Sequence, residues 1–196
     1  MPDAPTYSAL LRASLLRNAA RPCFHFKRDA AWQTMTYEQF HRLLNCMTDG
    51  LKKNGFRPGD NGVVIGENSP EWVIAYHSFF CAGGRTVPID PHLPAAEIRE
   101  IVRLTSASFI VCSKDLFDFF LDMRDECDFI KKILVLYEPP SANERSLFAF
   151  CSSGVDVDAL DRPFFPDDPT VIIFTSGTTG KAKGVALNQR NFIGTP

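Results

Sequence analysis

The residues best suited to chemistry follow a strand-like apolar run near the end of the chain. "TVIIF" (170–174) leads into six consecutive Thr, Ser or Gly residues and then two lysines, one residue apart. Glycines let backbone amides approach a ligand closely, and the hydroxyls and ammonium groups add converging donors. With no carboxylate nearby, such a loop suits a multiply charged anion, and phosphate is the natural candidate. The predicted phosphate-binding residues are Thr175, Ser176, Gly177, Thr178, Thr179, Gly180, Lys181, Lys183 and Gly184.

Two other interpretations of this loop are possible, and one of them can be tested by spacing. A Walker-type loop needs G-x-x-x-x-G-K-[ST] and begins a helix. Counted from Gly177, Ala182 replaces the second Gly and Gly184 the hydroxyl residue; counted back from Gly180, Thr175 replaces the first Gly. The following "GVALN" also has a strand-like pattern, so the Walker interpretation fails. A flexible linker with solvated lysines is disfavoured because the loop directly follows so apolar a strand.

The elements that must position this loop alternate between helices and strands. Short, continuously apolar strands between helices indicate strands buried on both faces, which is typical of a mostly parallel sheet with helices on each side. Ligands bind beyond the carboxyl ends of such strands, and the loop leaves one of these ends. The predicted helices are about 6–19, 37–55, 70–83, 94–104 and 114–125; the strands are 61–66, 85–89, 108–113, 132–137 and 170–174; 21–36 is a hairpin, and 138–168 a connecting region.

Polar residues mark several helix starts. Thr36 and Gln39 have the spacing of a capping box. Ser69 precedes Pro and Glu in the first turn, which is a strong start signal. Ser113 is expected to cap the Phe-rich helix, and Asn188 a helix after "GVALN".

Composition argues against several function classes. The net charge of −2 gives no reason to expect a nucleic-acid or anionic-membrane partner, although a local basic patch stays possible. No basic region followed by an apolar block opens the chain, and the most apolar stretch, 72–82, is too short to span a bilayer. The six cysteines and four histidines are scattered, which predicts thiols in a reducing cytoplasm and no structural metal.

Three other groups of residues are best explained by structure alone. The four aspartates spaced along the helix after residue 113 predict a solvated face rather than a metal site, and the phenylalanines beside them predict core rather than an acyl tunnel. Glu67 and Asn68 could line a site, but loops between strands and helices carry such residues routinely. The aspartates are Asp115, Asp118, Asp122 and Asp125, and the phenylalanines are Phe117, Phe119 and Phe120.

The stretch "FTSGTTGKAKGVALNQRNF" resembles the phosphate-binding signature of the adenylate-forming (AMP-binding) superfamily, which includes acyl-CoA synthetases, luciferases and peptide-synthetase adenylation domains. "TYEQFHRLLNCMTDGLKKNGFRPGD" and "ENSPEWVIAYHSFFCAGGRTVPIDPHLP" resemble upstream segments of the same family, so the likeness runs from about Tyr7 to Phe192. Two positions depart from the pattern. Ala182 replaces the usual Pro, and Asn188-Gln189 replaces a Thr-His pair, so the role of that His in lining the acyl pocket does not transfer to Gln189.

The resemblance implies an α/β fold that is part of the large N-terminal domain of an adenylate-forming enzyme, of the long-chain fatty-acid–CoA ligase type. It implies that ATP with Mg²⁺ activates a carboxylic acid to an acyl-adenylate, which coenzyme A converts to a thioester. Lys183 matches the regular lysine of the motif, whereas Lys181 falls on a variable position.

The resemblance also implies which parts of an adenylate-forming enzyme these residues do not include. Residues 1–196 correspond to the N-terminal portion of the AMP-binding domain, without the adenine-binding part, the C-terminal domain or a catalytic residue, so we expect no complete turnover from them alone. An aryl-acid or amino-acid adenylating domain and a non-catalytic nucleotide-binding module are the alternatives. The oligomeric state and any resident metal ligands are not predicted.

Overall fold

The computed structural model describes residues 7–137, 146–147, 167–175 and 183–193. It contains a two-stranded hairpin and a six-stranded sheet. The strands are β1 (Pro22–Arg28), β2 (Ala31–Thr36), β3 (Asn61–Ile65), β4 (Arg85–Ile89), β5 (Phe109–Cys112), β6 (Lys132–Val135), β7 (Pro169–Thr175) and β8 (Lys183–Asn188). The helices are α1 (Tyr7–Arg17), α2 (Tyr37–Lys53), α3 (Pro70–Cys81), α4 (Ala95–Thr105), α5 (Phe117–Glu126) and α6 (Gln189–Ile193), with a short 3-10 helix, Lys114–Leu116, before α5.

The large sheet has the strand order β6-β5-β3-β4-β7-β8. Every neighbouring pair is parallel except β7 and β8, which are antiparallel. Val63 of β3 lies opposite both Val87 of β4 and Ile110 of β5, so β3 is an inner strand of the parallel part. The prediction of a mostly parallel α/β sheet is confirmed.

Alternate side chains of the sheet enter two separate cores. Val64 packs in a first core with α2, α3, α1 and the β1–β2 hairpin, whereas Val63 and Ile65 pack in a second core with α4 and α5. Because helices cover both faces, the strands in the middle carry apolar residues at successive positions rather than at alternate ones. This is why β3 and β5 have the continuous apolar pattern of the sequence.

The predicted helix starts are observed with one exception. In the capping box, the Gln39 amide donates to Thr36 Oγ1 at 3.2 Å and the Thr36 amide donates to Gln39 Oε1 at 2.8 Å. Ser69 Oγ accepts from the Trp72 amide at 3.1 Å. The prediction that Ser113 caps the next helix is wrong, because the chain first forms the 3-10 helix and Ser113 makes no side-chain cap.

The structure also tests the structural interpretations of the aspartates and phenylalanines after residue 113. The four predicted surface aspartates are exposed. Phe117 and Phe120 are buried in the second core, and Phe119 packs against it, so the core interpretation of these rings is confirmed. In the described residues, none of the helices is both long and apolar enough to cross a bilayer. The predicted connecting region lies mostly outside the described residues.

Candidate functional site

The predicted phosphate loop joins the two antiparallel strands at the end of the sheet. Thr175 pairs with Lys183, and Phe174 pairs with Gly184, so segment 176–182 connects the paired ends. Thr175 and Lys183 are both exposed. The predicted residues that lie outside the described part of the chain are Ser176, Gly177, Thr178, Thr179, Gly180 and Lys181.

The sheet determines where this end of the β7–β8 hairpin lies. Thr86 of β4 pairs in parallel with Val171 of β7, so β4 and β7 point the same way. Thr175 therefore lies at the carboxyl edge of the sheet, where parallel α/β folds bind their ligands. A strand, β8, follows the loop as predicted, and this observation agrees with the rejection of a Walker-type loop.

Gly184 serves packing within the hairpin. A methyl group built on Gly184 would lie 3.0 Å from Cζ of Phe174 and 3.2 Å from Cγ2 of Ile172. Its backbone angles are open to other residues, since Gly184 is not among the glycines with positive φ. The lack of a side chain at Gly184 lets the Phe174 ring lie close to the paired strand.

A cleft of about 460 Å³ lies at the carboxyl edge, between the ends of β3 and β4. Glu67 and Asn68 line it from the loop after β3, and Asp90 and His92 from the loop after β4; Trp72 and Ile173 contribute apolar surface. The β3 loop leads to α3 in the first core, whereas the β4 loop leads to α4 in the second. Such divergence of neighbouring loops opens a crevice that is a common ligand site.

Gly66 is one of the residues that line this cleft. Its φ of +149° lies in the region that favours glycine, and a Cβ there would lie 2.7 Å from Cδ1 of Leu136 and 3.2 Å from Cβ of Ser113. Any side chain at Gly66 would therefore push the segment after β3 away from Ser113 and Leu136, which follow β5 and β6.

The mouth of the cleft carries two carboxylates and a histidine. Asp90 Oδ1 accepts from the His92 backbone amide and lies 2.9 Å from His92 Nδ1; His92 Nε2 lies 3.8 Å from Glu67 Oε1. The backbone hydrogen bond from His92, followed by its side-chain bond, lowers the pKa of Asp90. The two carboxylates at this rim disfavour phosphate in the cleft itself. Sequence reasoning missed Asp90 and His92, although their D-x-H spacing directly after a strand was visible.

The two substituted positions after the loop have different surroundings. Asn188 caps α6 reciprocally: its amide donates to Asn191 Oδ1 at 2.8 Å, and its Oδ1 accepts from the Asn191 amide at 3.3 Å. The predicted capping role of Asn188 is therefore confirmed. Gln189 is fully buried and accepts a hydrogen bond from Ser8 Oγ of α1 at 3.3 Å. Gln189 thus joins the two ends of the described chain.

The sequence is similar to those of known proteins. The family model described as "AMP-binding enzyme" matches residues 11–195. The nonribosomal peptide synthetase-like enzyme fsqF of Aspergillus fumigatus is 32% identical over 89% of this chain and 11% of its own length. The human long-chain-fatty-acid–CoA ligase ACSBG1 is 29% identical over 87% of this chain and 25% of its own length. This chain therefore spans a quarter or less of these two relatives.

Solved structures share the fold at lower identity. The luciferase-like enzyme from the nonluminescent mealworm Zophobas morio superposes with a TM-score of 0.84 at 20% identity, over 97% of this chain and 44% of that one. The family match covers nearly all of the sequence, including the loop, the cleft and both cores. The chain belongs to the family of AMP-binding enzymes.

Proposed function

We propose that this chain supplies the phosphate-binding loop of a ligase that uses ATP to activate a carboxylic acid. The observation that carries the proposal is the pairing of Thr175 with Lys183. This pairing holds both ends of the Gly/Thr/Ser-rich segment at the carboxyl edge of the sheet, the usual ligand-binding edge of the fold. Membership of the AMP-binding family supports a nucleotide as the ligand.

The charges of the described residues suit a triphosphate on the loop rather than in the cleft. Lys183 is exposed and has no ion-pair partner in the described part of the chain, so its ammonium group is available to an anion. Glu67 and Asp90 make the cleft rim negative. A cleft of about 460 Å³ is still large enough for an uncharged part of a ligand.

In the proposed reaction, a carboxylate oxygen attacks the α-phosphorus of ATP and the bond to pyrophosphate breaks, leaving an acyl-adenylate. The thiol of coenzyme A then attacks the acyl carbon and AMP leaves. The loop from Thr175 to Gly184 would hold the β- and γ-phosphates so that pyrophosphate departs in line, and Lys183 would offset the charge that develops on it.

Magnesium would enter this site with the nucleotide. Mg²⁺ is commonly bound by substrate phosphates with only one or two carboxylates. Within the ranges that the structure describes, no group of three or more His, Cys, Asp or Glu residues could hold a metal ion. These residues therefore fit a metal carried by ATP better than a metal bound by the protein alone.

We propose a fatty acid as the acid, because the human relative is named as a long-chain-fatty-acid–CoA ligase. The fungal relative is named as peptide-synthetase-like, and its 32% identity favours an amino-acid adenylating domain as the second candidate. An aryl acid and a non-catalytic nucleotide-binding module are the further alternatives.

The test is acid-dependent ATP–pyrophosphate exchange by the complete gene product, because this chain spans only part of its relatives. Fatty, aryl and amino acids are compared, and coenzyme A is then added to detect a thioester. We expect exchange with fatty acids and its loss by roughly a hundredfold in Lys183→Ala, the effect of removing a donor to developing charge. Lys181→Ala, the matched control at the variable position, should lose less than about tenfold.

Three results would count against parts of this proposal. Exchange with amino acids alone would replace the fatty-acid assignment by the second candidate. Nucleotide binding without exchange would favour the non-catalytic nucleotide-binding module. Equal activity of Lys183→Ala, Lys181→Ala and the unsubstituted protein would contradict the proposed role of the loop in holding the phosphates.

A further inference from the structure

The outer surface of α1 and the β1–β2 hairpin lies outside the proposed active site. Its exposed large apolar, Lys and Arg side chains are Leu10, Leu16, Arg17, Arg21, Lys27 and Trp32, which together we name the amino-terminal surface. We propose that this surface docks the protein on an anionic lipid bilayer. The proposal is independent of the proposed reaction.

The register of the hairpin separates its two faces. Lys27 lies opposite Trp32 on one face, and Phe24 lies opposite Met35 on the other. Met35 is buried in the first core, and the Phe24 ring meets Phe40 of α2 edge-on, with 5.3 Å between centroids. Lys27 and Trp32 therefore point away from the protein.

Helix α1 extends the same outer layer. Leu15 of α1 is buried in the first core, the one that the hairpin also covers, whereas Leu16 on its other side is 56% exposed. The turn between the two elements is fixed by a 2.7 Å hydrogen bond from the Arg21 amide to the Asn18 carbonyl. The exposed sides of α1 and of the hairpin, which this turn connects, therefore both face away from the first core.

The charge of this region opposes that of the whole chain. Residues 7–36 contain five Lys or Arg and one acid, a net charge of +4, in a chain whose net charge is −2. Arg28 is neutralised by its ion pair with Glu71. Arg17, Arg21 and Lys27 stay exposed, near two exposed acids: Asp29 of the hairpin turn and Glu38, whose amide donates to the Ala19 carbonyl. The net charge of −2 concealed this local basic patch.

An exposed Trp opposite Lys27 favours lipid as the partner. Trp32 is 75% exposed, more than any other large apolar side chain in the described residues. Its ring combines apolar area with an N–H donor, the combination enriched at membrane–water interfaces. The three exposed cations would add attraction to phosphatidylserine, with a roughly fivefold effect on binding for each.

The experiment is co-sedimentation of this chain with vesicles of phosphatidylcholine, with and without phosphatidylserine. Binding should require phosphatidylserine and weaken with salt. The Lys27→Gln variant should lose roughly fivefold, and the triple variant with Arg17→Gln and Arg21→Gln roughly a hundredfold. Arg124→Gln is the matched charge control, because exposed Arg124 lies on α5, on the opposite face of the sheet.

The apolar contribution is tested in the same assay. Trp32→Ala should weaken binding by roughly tenfold if about 60 Å² of the ring leaves water. Leu104→Ala is its control, because Leu104 is 61% exposed on α4 at the opposite face. The chain has only two tryptophans, so the emission of Trp32 in a Trp72→Phe variant reports its environment directly. It should shift to the blue on the anionic vesicles.

Several outcomes would overturn the proposal. These are failure to bind anionic vesicles at low salt, equal binding to neutral vesicles, and equal losses in Lys27→Gln and Arg124→Gln. A blue shift of Trp32 emission with protein concentration, without vesicles, would assign the surface to a second copy instead. Unchanged urea denaturation of the variants confirms that a loss of binding is not a loss of folding.

Discussion

The Arg28–Glu71 ion pair fastens the amino-terminal hairpin to the first turn of α3, next to the cleft. Arg28 Nη2 lies 2.8 Å from Glu71 Oε1, and the two side chains are 19% and 0% exposed. The guanidinium group also lies 4.0 Å from the centroid of the Tyr137 ring. Glu71 Oε2 has no hydrogen-bond partner in the described part of the chain, so Arg28 is the one counter-charge shown for an enclosed carboxylate.

Removing Arg28 should therefore cost far more than removing an exposed arginine. Arg28→Met leaves a buried carboxylate without its partner, and we expect the free energy of unfolding to fall by about 3–5 kcal/mol. Glu71→Gln keeps an oxygen acceptor for Arg28 and should cost about 1–2 kcal/mol. The Arg28→Met/Glu71→Gln double variant should be more stable than Arg28→Met alone, with a coupling energy of about 2 kcal/mol.

The assay is urea denaturation followed by circular dichroism, with the Arg103–Glu126 pair as the control. That pair is 2.7 Å long, but its side chains are 53% and 49% exposed, so Arg103→Met should cost less than about 1 kcal/mol. If Arg28→Met were no more destabilising than Arg103→Met, or if Glu71→Gln recovered nothing in the Arg28→Met background, the assignment of Glu71 as a buried charge would be refuted.

Two further predictions concern pH and backbone. Burial lowers the pKa of His77 below its ordinary 6.5, so the folded protein binds fewer protons and its stability should be complete above pH 6.5 and fall below it. The free energy of unfolding of His77→Gln, measured by denaturation, should depend less on pH across this range. An unchanged pH dependence would contradict the lowered pKa of His77. Gly66→Ala should cost about 3 kcal/mol, from left-handed strain and overlap with Leu136. Gly55→Ala, with positive φ but open space, should cost only about 1 kcal/mol, and equal melting temperatures of the two variants would contradict this difference.

Much of the fold could be predicted because local and global signals agree. The capping box at Thr36, the Pro after Ser69 and the unbroken apolar run of β3 each specify an element without knowledge of its neighbours. Ser113 shows where this reasoning ends. The backbone of Ser113 donates to the Ile65 carbonyl at 3.0 Å and accepts from the Leu116 amide at 3.2 Å. This tertiary contact and the 3-10 turn replace the predicted cap, and neither is visible in a local window.

The candidate site was only half visible in the sequence. The loop from Thr175 to Gly184 stands out because its residues are consecutive. The cleft does not stand out, because Glu67 and His92 lie in the loops after two different strands and meet only when β3 and β4 pair. The basic amino-terminal surface was hidden for a similar reason: a net charge averages over the whole chain, whereas docking depends on which charges share one face.

The most direct test of phosphate binding by the loop is to locate ATP on this chain by NMR titration of backbone amides with MgATP. We expect the largest shifts between Thr175 and Gly184, competition by pyrophosphate, and binding weakened by roughly tenfold or more in Lys183→Ala, with a smaller effect in Lys181→Ala. Shifts confined to the cleft residues Glu67 to His92, with segment 175–184 unmoved, would contradict it.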